Sequence, residues 1–145
     1  MKTRLFLLVL LLVASVVLGG IGCSKGTPEA TKTIEVPMDD VLNGSDINRD
    51  ATLAVGNTLK VVLGSNHTTP YRWTSFPKIA DPTILKQTSH EFVQQHTDRT
   101  GAPGTEVWMF TALKAGTTTI VTTYATFVGG DNTPTCTFTA KLTVQ

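Results

Sequence analysis

The residues of this chain that could do catalytic chemistry are two cysteines, Cys23 and Cys136, and three histidines, His67, His90 and His96. A Cys–His pair needs an accessible thiol beside the imidazole. Cys136 instead begins a run in which every second residue is apolar, so we expect it to be a buried strand residue. The sequence contains no His-Glu-x-x-His, and its one match to Gly-x-Ser-x-Gly, Gly22–Gly26, follows the N-terminal apolar run and not a predicted strand, where a nucleophile elbow would stand. It therefore predicts a protein that is not an enzyme.

Metal binding is also poorly supported. No cysteine or carboxylate stands beside the three histidines at ligand spacing, so we interpret them as exposed loop or strand residues. Asp46, Asn48 and Asp50 alternate as in a calcium loop. However, Ala51 stands where such a loop needs glycine, and Asn57 stands where it needs a bidentate glutamate. We predict no metal and no cofactor.

The composition favours one all-β domain. Hydrophobic residues make up 41% of the 145 residues, enough for a packed core. The net charge of +1 comes from scattered residues, which gives no basic surface for nucleic acid. Threonine is frequent, and helix-forming runs are absent after the N-terminus. About seven short strands separated by turns are typical of a β-sandwich.

Alternation of apolar and polar residues and the turn residues between them locate most of these strands. They are Ile34–Met38, Thr52–Val55, Thr58–Leu63, a segment from Tyr71, part of Ile84–Gln94 and Cys136–Val144. A family resemblance implies two more, the run from Val107 and Thr117–Tyr124. Pro37 makes the first strand an edge or bulged strand. We expect Asp39–Arg49 to be a loop that turns at Asn43-Gly44.

The N-terminus has the pattern of an export signal. Lys2 and Arg4 precede an apolar run, and Gly19-Gly20-Ile21-Gly22 leads to Cys23. This resembles the lipobox of prokaryotic lipoproteins, and an uncleaved membrane anchor is the alternative. We predict a signal peptide over 1–22, a lipidated Cys23 with a flexible tether over 23–33, and a folded domain over 34–145. The protein would then be exported and membrane-anchored, facing the periplasm or the cell exterior.

Three stretches between strands carry a family resemblance. Asn66-His67-Thr68-Thr69-Pro70-Tyr71-Arg72-Trp73 resembles the Asn-Pro-Thr-Thr-Gly-Tyr-x-Trp loop of chagasin-type inhibitors of papain-like cysteine peptidases. Gly101–Glu106 resembles their Gly-x-Gly-Gly-Thr-Glu loop, and the run from Val107 to Ile120 is similar to the strand–turn–strand that follows. The family's third motif, Arg-Pro-Trp, is absent, and Phe127 or Val128 would supply a smaller apolar contact there.

The resemblance spans about Ile34 to Val144 and implies an immunoglobulin-like β-sandwich with three binding loops at one end. Loop 1 would comprise Asn66, His67, Thr68, Thr69, Pro70, Tyr71 and Trp73; loop 2 Gly101, Ala102, Pro103 and Gly104; and loop 3 Phe127, Val128, Gly129, Gly130 and Asp131. The implied function is reversible, tight-binding inhibition of a papain-like cysteine peptidase by occlusion of its active-site cleft. We expect a monomer.

Two alternatives remain at this stage. The loops could simply join strands, since polar loops are common in sandwiches. The domain could also be a membrane-tethered immunoglobulin-like adhesion or assembly module, because a fold does not determine a function. Pro70 and Pro103 both replace glycines of the family pattern, and each lacks an N–H and excludes positive φ.

Overall fold

The computed structural model describes residues 29–44, 46–130 and 133–145. Within these ranges the chain forms nine strands and one short helix. In chain order they are β1 (Thr31–Val36), α1 (Met38–Leu42), β2 (Ile47–Leu53), β3 (Thr58–Ser65), β4 (Tyr71–Trp73), β5 (Lys78–Ile79), β6 (Leu85–Gln94), β7 (Gly104–Ala112), β8 (Gly116–Thr126) and β9 (Cys136–Val144). The predicted signal peptide and Cys23 lie outside the described residues. None of the helices described is long and apolar enough to span a bilayer.

The strands form the two layers of a β-sandwich. The first sheet has the order β1-β3-β7-β6, and the second has the order β2-β9-β8-β4, with β5 also paired to β8. Pairing is parallel between β1 and β3 and between β2 and β9, and antiparallel elsewhere. This architecture confirms the predicted all-β, immunoglobulin-like sandwich.

Alternating side chains of both sheets build the core. In β9 the buried residues are Cys136, Phe138, Ala140, Leu142 and Val144, each separated from the next by a more exposed residue. Cys136 is therefore a core residue, as its position in the sequence predicted. Phe110 of β7 and Ile120 of β8 are fully buried as well. Burial of one such side chain stabilises the fold by about 1.5–3 kcal/mol.

The first residues of the domain differ from the sequence prediction. β1 begins at Thr31, inside the segment expected to be a tether, and Met38 opens α1 rather than ending a strand. Pro37 precedes the helix in an extended conformation, and Asp39 and Asp40 lie in its first turn, where acidic side chains are favourable. A Cβ on Gly64 would lie 2.4 Å from the Cα of Met38, so this glycine lets α1 approach β3 closely.

The predicted loop over Asp39–Arg49 is also shorter than expected, because β2 begins at Ile47. The polar side chains that follow Ile47 face solvent on an edge strand, and the backbone pairs with β9 over the whole length of β2. Pairing with β9 therefore makes this segment a strand, although its apolar and polar side chains do not alternate clearly in the sequence.

Strand direction places the three predicted loops at one end of the sandwich. Ser65, where β3 ends, is opposite Gly104, where β7 begins, and Gly104 is in turn opposite Gln94 at the end of β6. In the other sheet Tyr71, where β4 begins, is opposite Thr126 at the end of β8. We call this end the loop end. At the opposite end Thr31 pairs with Thr58, so the chain enters the domain far from the loops.

Candidate functional site

Loop 1 lies between the other two loops and is bonded to both. Its first residue, Asn66, donates its side-chain N–H to the carbonyl of Gly101 in loop 2, at 3.3 Å. The carbonyl of Pro70 accepts the N–H of Phe127 in loop 3, at 3.1 Å. The structure therefore brings the three sequence-predicted loops together into one surface.

The tip of loop 1 is ordered by Asn66. Its side-chain oxygen accepts the N–H and the hydroxyl of Thr68, at 3.0 and 2.7 Å. Its carbonyl accepts the N–H and the hydroxyl of Thr69, at 3.1 and 2.8 Å. This side-chain-closed turn is the conformation that asparagine favours, and it presents Thr68 to solvent.

The two aromatic residues predicted in loop 1 form its base rather than its tip. Trp73 is buried and donates its indole N–H to the carbonyl of Gly64 at 2.8 Å. Tyr71 and Trp73 both pack against the ring of Tyr124, with centroids 5.8 and 5.2 Å apart. The Tyr124 hydroxyl accepts the N–H of Asn66 at 3.4 Å. The loop is thus held on a rigid aromatic platform.

Arg72, which the sequence analysis did not single out, braces loop 1 from the side. Its guanidinium donates to the carbonyls of Thr69 and His67, at 2.6 and 2.9 Å. It also lies over the ring of Phe127, 5.1 Å from the centroid, which is cation–π geometry. The sequence signal was an arginine between two anchoring aromatics.

Glu106 is the second residue that sequence reasoning missed. Its carboxylate is bonded to the Nε2 atoms of His67 at 2.5 Å and of His90 at 2.6 Å. The Glu106 side chain is 3% exposed, and those of His67 and His90 are 33% and 23% exposed. The interpretation of these two histidines as exposed residues was wrong, whereas His96 is exposed. The sequence did contain a signal: Glu106 stands two residues before Trp108, which places a charged side chain on the apolar face of a strand.

Two glycines of loop 2, Gly101 and Gly104, have different structural reasons for lacking a side chain. Gly101 is exposed and has a φ of 81°, which favours glycine. Gly104 is not at the tip but is the buried first residue of β7, where a Cβ would lie 2.4 Å from the carbonyl oxygen of Val93. Ala102 and Pro103, between them, are half-buried.

Loop 3 presents the apolar part of the surface. Phe127 and Val128 are 62% and 58% exposed. Gly129 and Gly130 follow with φ values of 91° and 73°. Asp131 lies outside the described residues. Two neighbouring apolar side chains exposed beside polar loops are typical of a protein contact surface.

Among the described residues, no group of three histidine, cysteine, aspartate or glutamate side chains is arranged to hold a metal ion. The loop end is a projecting, mostly polar surface with an apolar edge, on a sandwich of the immunoglobulin-like class. Such a surface has the shape to bind a concave partner.

The chain belongs to the chagasin family of peptidase inhibitors (family I42), whose model matches residues 52–143. This match confirms that the protein is a peptidase inhibitor and not an enzyme, and it disfavours the adhesion-module alternative. No curated protein sequence matches the chain significantly.

Solved structures agree with the fold. The cysteine protease inhibitor EhICP2 from Entamoeba histolytica is 19% identical, with a TM-score of 0.56 over 70% of this chain and 96% of that one. PbICP-C, solved in complex with falcipain-2, is 20% identical, with a TM-score of 0.60 over 79% of this chain and 99% of that one. At these identities the likeness concerns the fold.

Proposed function

We propose that the protein inhibits papain-like cysteine peptidases by filling the active-site cleft with loops 1, 2 and 3. The observation that carries this proposal is the bonding of loop 1 to loop 2 through Asn66 and Gly101, and to loop 3 through Pro70 and Phe127. A preformed three-loop wedge binds without a large ordering cost. The structure of the fold relative PbICP-C with falcipain-2, a papain-like protease, supports this class of partner.

Loop 1 is the part of the wedge that enters deepest. Thr68 lies at its exposed tip, and Thr69 is turned back onto Asn66. Both threonines keep their backbones in a closed turn, so the loop does not extend across the nucleophile as a substrate would. Inhibition is steric, and it needs no cofactor.

Loops 2 and 3 would contact the two walls of the cleft. Gly101 has no side chain and offers its backbone to a partner at close range. Phe127 and Val128 offer apolar surface in place of the Arg-Pro-Trp motif, and Arg72 beneath Phe127 restrains its ring. Pro70 supports this arrangement, since its carbonyl bonds to Phe127 and its ring stiffens the turn.

We further propose that the protein is an exported lipoprotein anchored through Cys23, with one inhibitory domain per chain acting as a monomer. The position of Thr31 at the end opposite to the loops supports this arrangement, because a tether entering there would leave the loops facing away from the membrane. Metabolic labelling with a fatty acid tests the anchor. Label is expected on the wild type and not on Cys23→Ser, and label on both would contradict it.

Titration of papain with a lipid-free form, residues 25–145, tests the inhibition. We expect tight stoichiometric inhibition, and a loss of at least about tenfold in affinity for Thr68→Ala combined with Thr69→Ala. The matched control is Thr117→Ala with Thr143→Ala, a cross-strand pair exposed at the opposite end. Equal losses in the two double variants, or no inhibition by the folded wild type, would refute the proposal.

A further inference from the structure

A buried carboxylate lies directly beneath the binding loops. Glu106 is on the inward face of β7, two residues from the start of that strand at the loop end. Its two oxygens have different partners: Oε1 bonds to His67 of loop 1, and Oε2 bonds to His90 of β6. The hydroxyl of Ser65 lies 3.5 Å from Oε1. We call the group Glu106, His67 and His90 the carboxylate clamp.

The imidazole rings of the clamp are fixed in orientation by aromatic packing. The His67 ring stacks on Phe92 with centroids 3.6 Å apart and planes inclined by 7°. The His90 ring stacks on Trp108 with centroids 4.9 Å apart and planes inclined by 19°. An ionised carboxylate only accepts hydrogen bonds, so both bonds to such a carboxylate require a proton on the Nε2 atom of the ring. The stacking holds both Nε2 atoms toward Glu106.

The side chain of His67 ties the projecting part of loop 1 to the first sheet, whereas that of Trp73 ties only the base of the loop, through the carbonyl of Gly64. The other restraints on the projecting part come from elsewhere: Arg72 and Tyr124 belong to the second sheet, and Gly101 belongs to loop 2. Loop 1 joins the two sheets, so its tilt depends on attachment at both sides. The bond from His67 to Glu106 supplies the first-sheet side.

We propose that Glu106 is a positioning residue for inhibition, which sets loop 1 through His67. The inference deepens the proposed function and rests on it. A hydrogen bond to an ionised carboxylate is charge-assisted and about twice as strong as one between neutral groups. Loss of either partner therefore loosens loop 1 on the side of the first sheet.

The side chain of Glu106 is contacted from three elements. The histidines come from loop 1 and β6, and Ser65 from β3 contributes an uncharged hydroxyl. The guanidinium of Arg72 is directed at backbone carbonyls of loop 1. Among these partners of Glu106, His67 is the one that belongs to loop 1.

A double-mutant cycle on inhibition tests the positioning role. His67→Phe keeps a ring to stack on Phe92 and removes the Nε2–H, and Glu106→Gln keeps the size and removes the charge. At about pH 5.5 each single change is expected to raise the inhibition constant for papain about tenfold, and the double variant also by about tenfold. A double effect of about a hundredfold, or folded single variants that inhibit like wild type, would overturn the proposal.

A conservative variant distinguishes positioning from a general structural role. His67→Gln keeps an N–H donor near the place of Nε2, so it is expected to inhibit papain within about threefold of wild type, whereas His67→Phe loses about tenfold. The control is His96→Gln, which removes an exposed imidazole outside the clamp and should leave inhibition unchanged. Equal losses in His67→Gln and His67→Phe contradict the clamp.

A readout without peptidase keeps this test separate from the proposed function. The Thr69 N–H is bonded to the carbonyl of Asn66 inside loop 1, so its hydrogen exchange reports loop opening. Glu106→Gln is expected to speed this exchange about tenfold relative to wild type at the same pH. Wild-type protein that does not inhibit papain refutes the proposed function, and unchanged exchange refutes the positioning role.

Discussion

Arg72 offers the sharpest test of how the loop surface is held together. Its guanidinium bonds to three loop 1 carbonyls, those of His67, Thr69 and Tyr71. It also covers the Phe127 ring of loop 3. Replacement by alanine removes all four contacts at once, while the aromatic side chains at the base of the loop stay in place. The change therefore tests the shape of the loops separately from the stability of the sandwich.

The magnitude follows from the contacts. Arg72 is half-buried and stays partly hydrated, so we assign about 0.5 kcal/mol, the lower end of the range for hydrogen bonds in general, to each of its three loop 1 bonds. The cation–π contact adds about 0.5 kcal/mol. The sum is about 2 kcal/mol, which corresponds to about a 30-fold rise in the inhibition constant if the free loops must regain their shape on binding.

The assay is inhibition of papain by Arg72→Ala, with thermal unfolding measured in parallel. Arg72→Lys should show a smaller loss, about fivefold, because an ammonium keeps the charge but lacks the planar fork that reaches three carbonyls. The control is Arg49→Ala, since Arg49 is exposed and bonds only to the adjacent carbonyl of Asn48 among the contacts described. Inhibition by Arg72→Ala within twofold of the control would refute the reasoning that this side chain braces the loops.

Three further predictions concern other parts of the chain. Gly104→Ala should lower the free energy of unfolding by about 2 kcal/mol or more, measured in urea, because its Cβ would collide with the carbonyl of Val93; unchanged stability would contradict the close approach. Phe127→Ala should weaken papain inhibition about tenfold with little effect on stability. The control Phe76→Ala, which changes a still more exposed phenylalanine outside the three loops, should leave inhibition unchanged. Burial raises the pKa of the Cys136 thiol, so this group favours the folded state below the ordinary thiol range, and stability should fall as the pH rises through and above it. In urea titrations Cys136→Ala should show less of this alkaline loss, and an identical loss would contradict the assignment.

The sequence was most informative where apolar and polar residues alternate strictly. The run from Cys136 to Val144 predicts a strand, and the structure has β9 there. The chagasin-type motifs mark the positions of the loops, and the resemblance implies that the loops share one end of the sandwich.

The sequence was least informative where tertiary contacts decide the structure. Ile47–Leu53 forms a strand because β9 offers a parallel partner about ninety residues later, which no local pattern encodes. The helix at Met38 depends on the absence of a side chain at Gly64.

The carboxylate clamp was missed for a similar reason. His67, His90 and Glu106 are far apart in the chain, and each alone is an ordinary polar residue. Only the register of β6 against β7, with His90 opposite Trp108, brings the second histidine beside the carboxylate. Pairing across strands is thus the information that a single sequence lacks.

The proposed function requires that the three loops occupy the substrate cleft of the peptidase. It is tested by the apparent inhibition constant of the lipid-free protein for papain, measured as a function of substrate concentration. If inhibitor and substrate compete for the cleft, the apparent inhibition constant increases linearly with substrate concentration. An apparent inhibition constant that does not depend on substrate concentration would show that the protein binds elsewhere on the peptidase, and it would contradict occupation of the cleft.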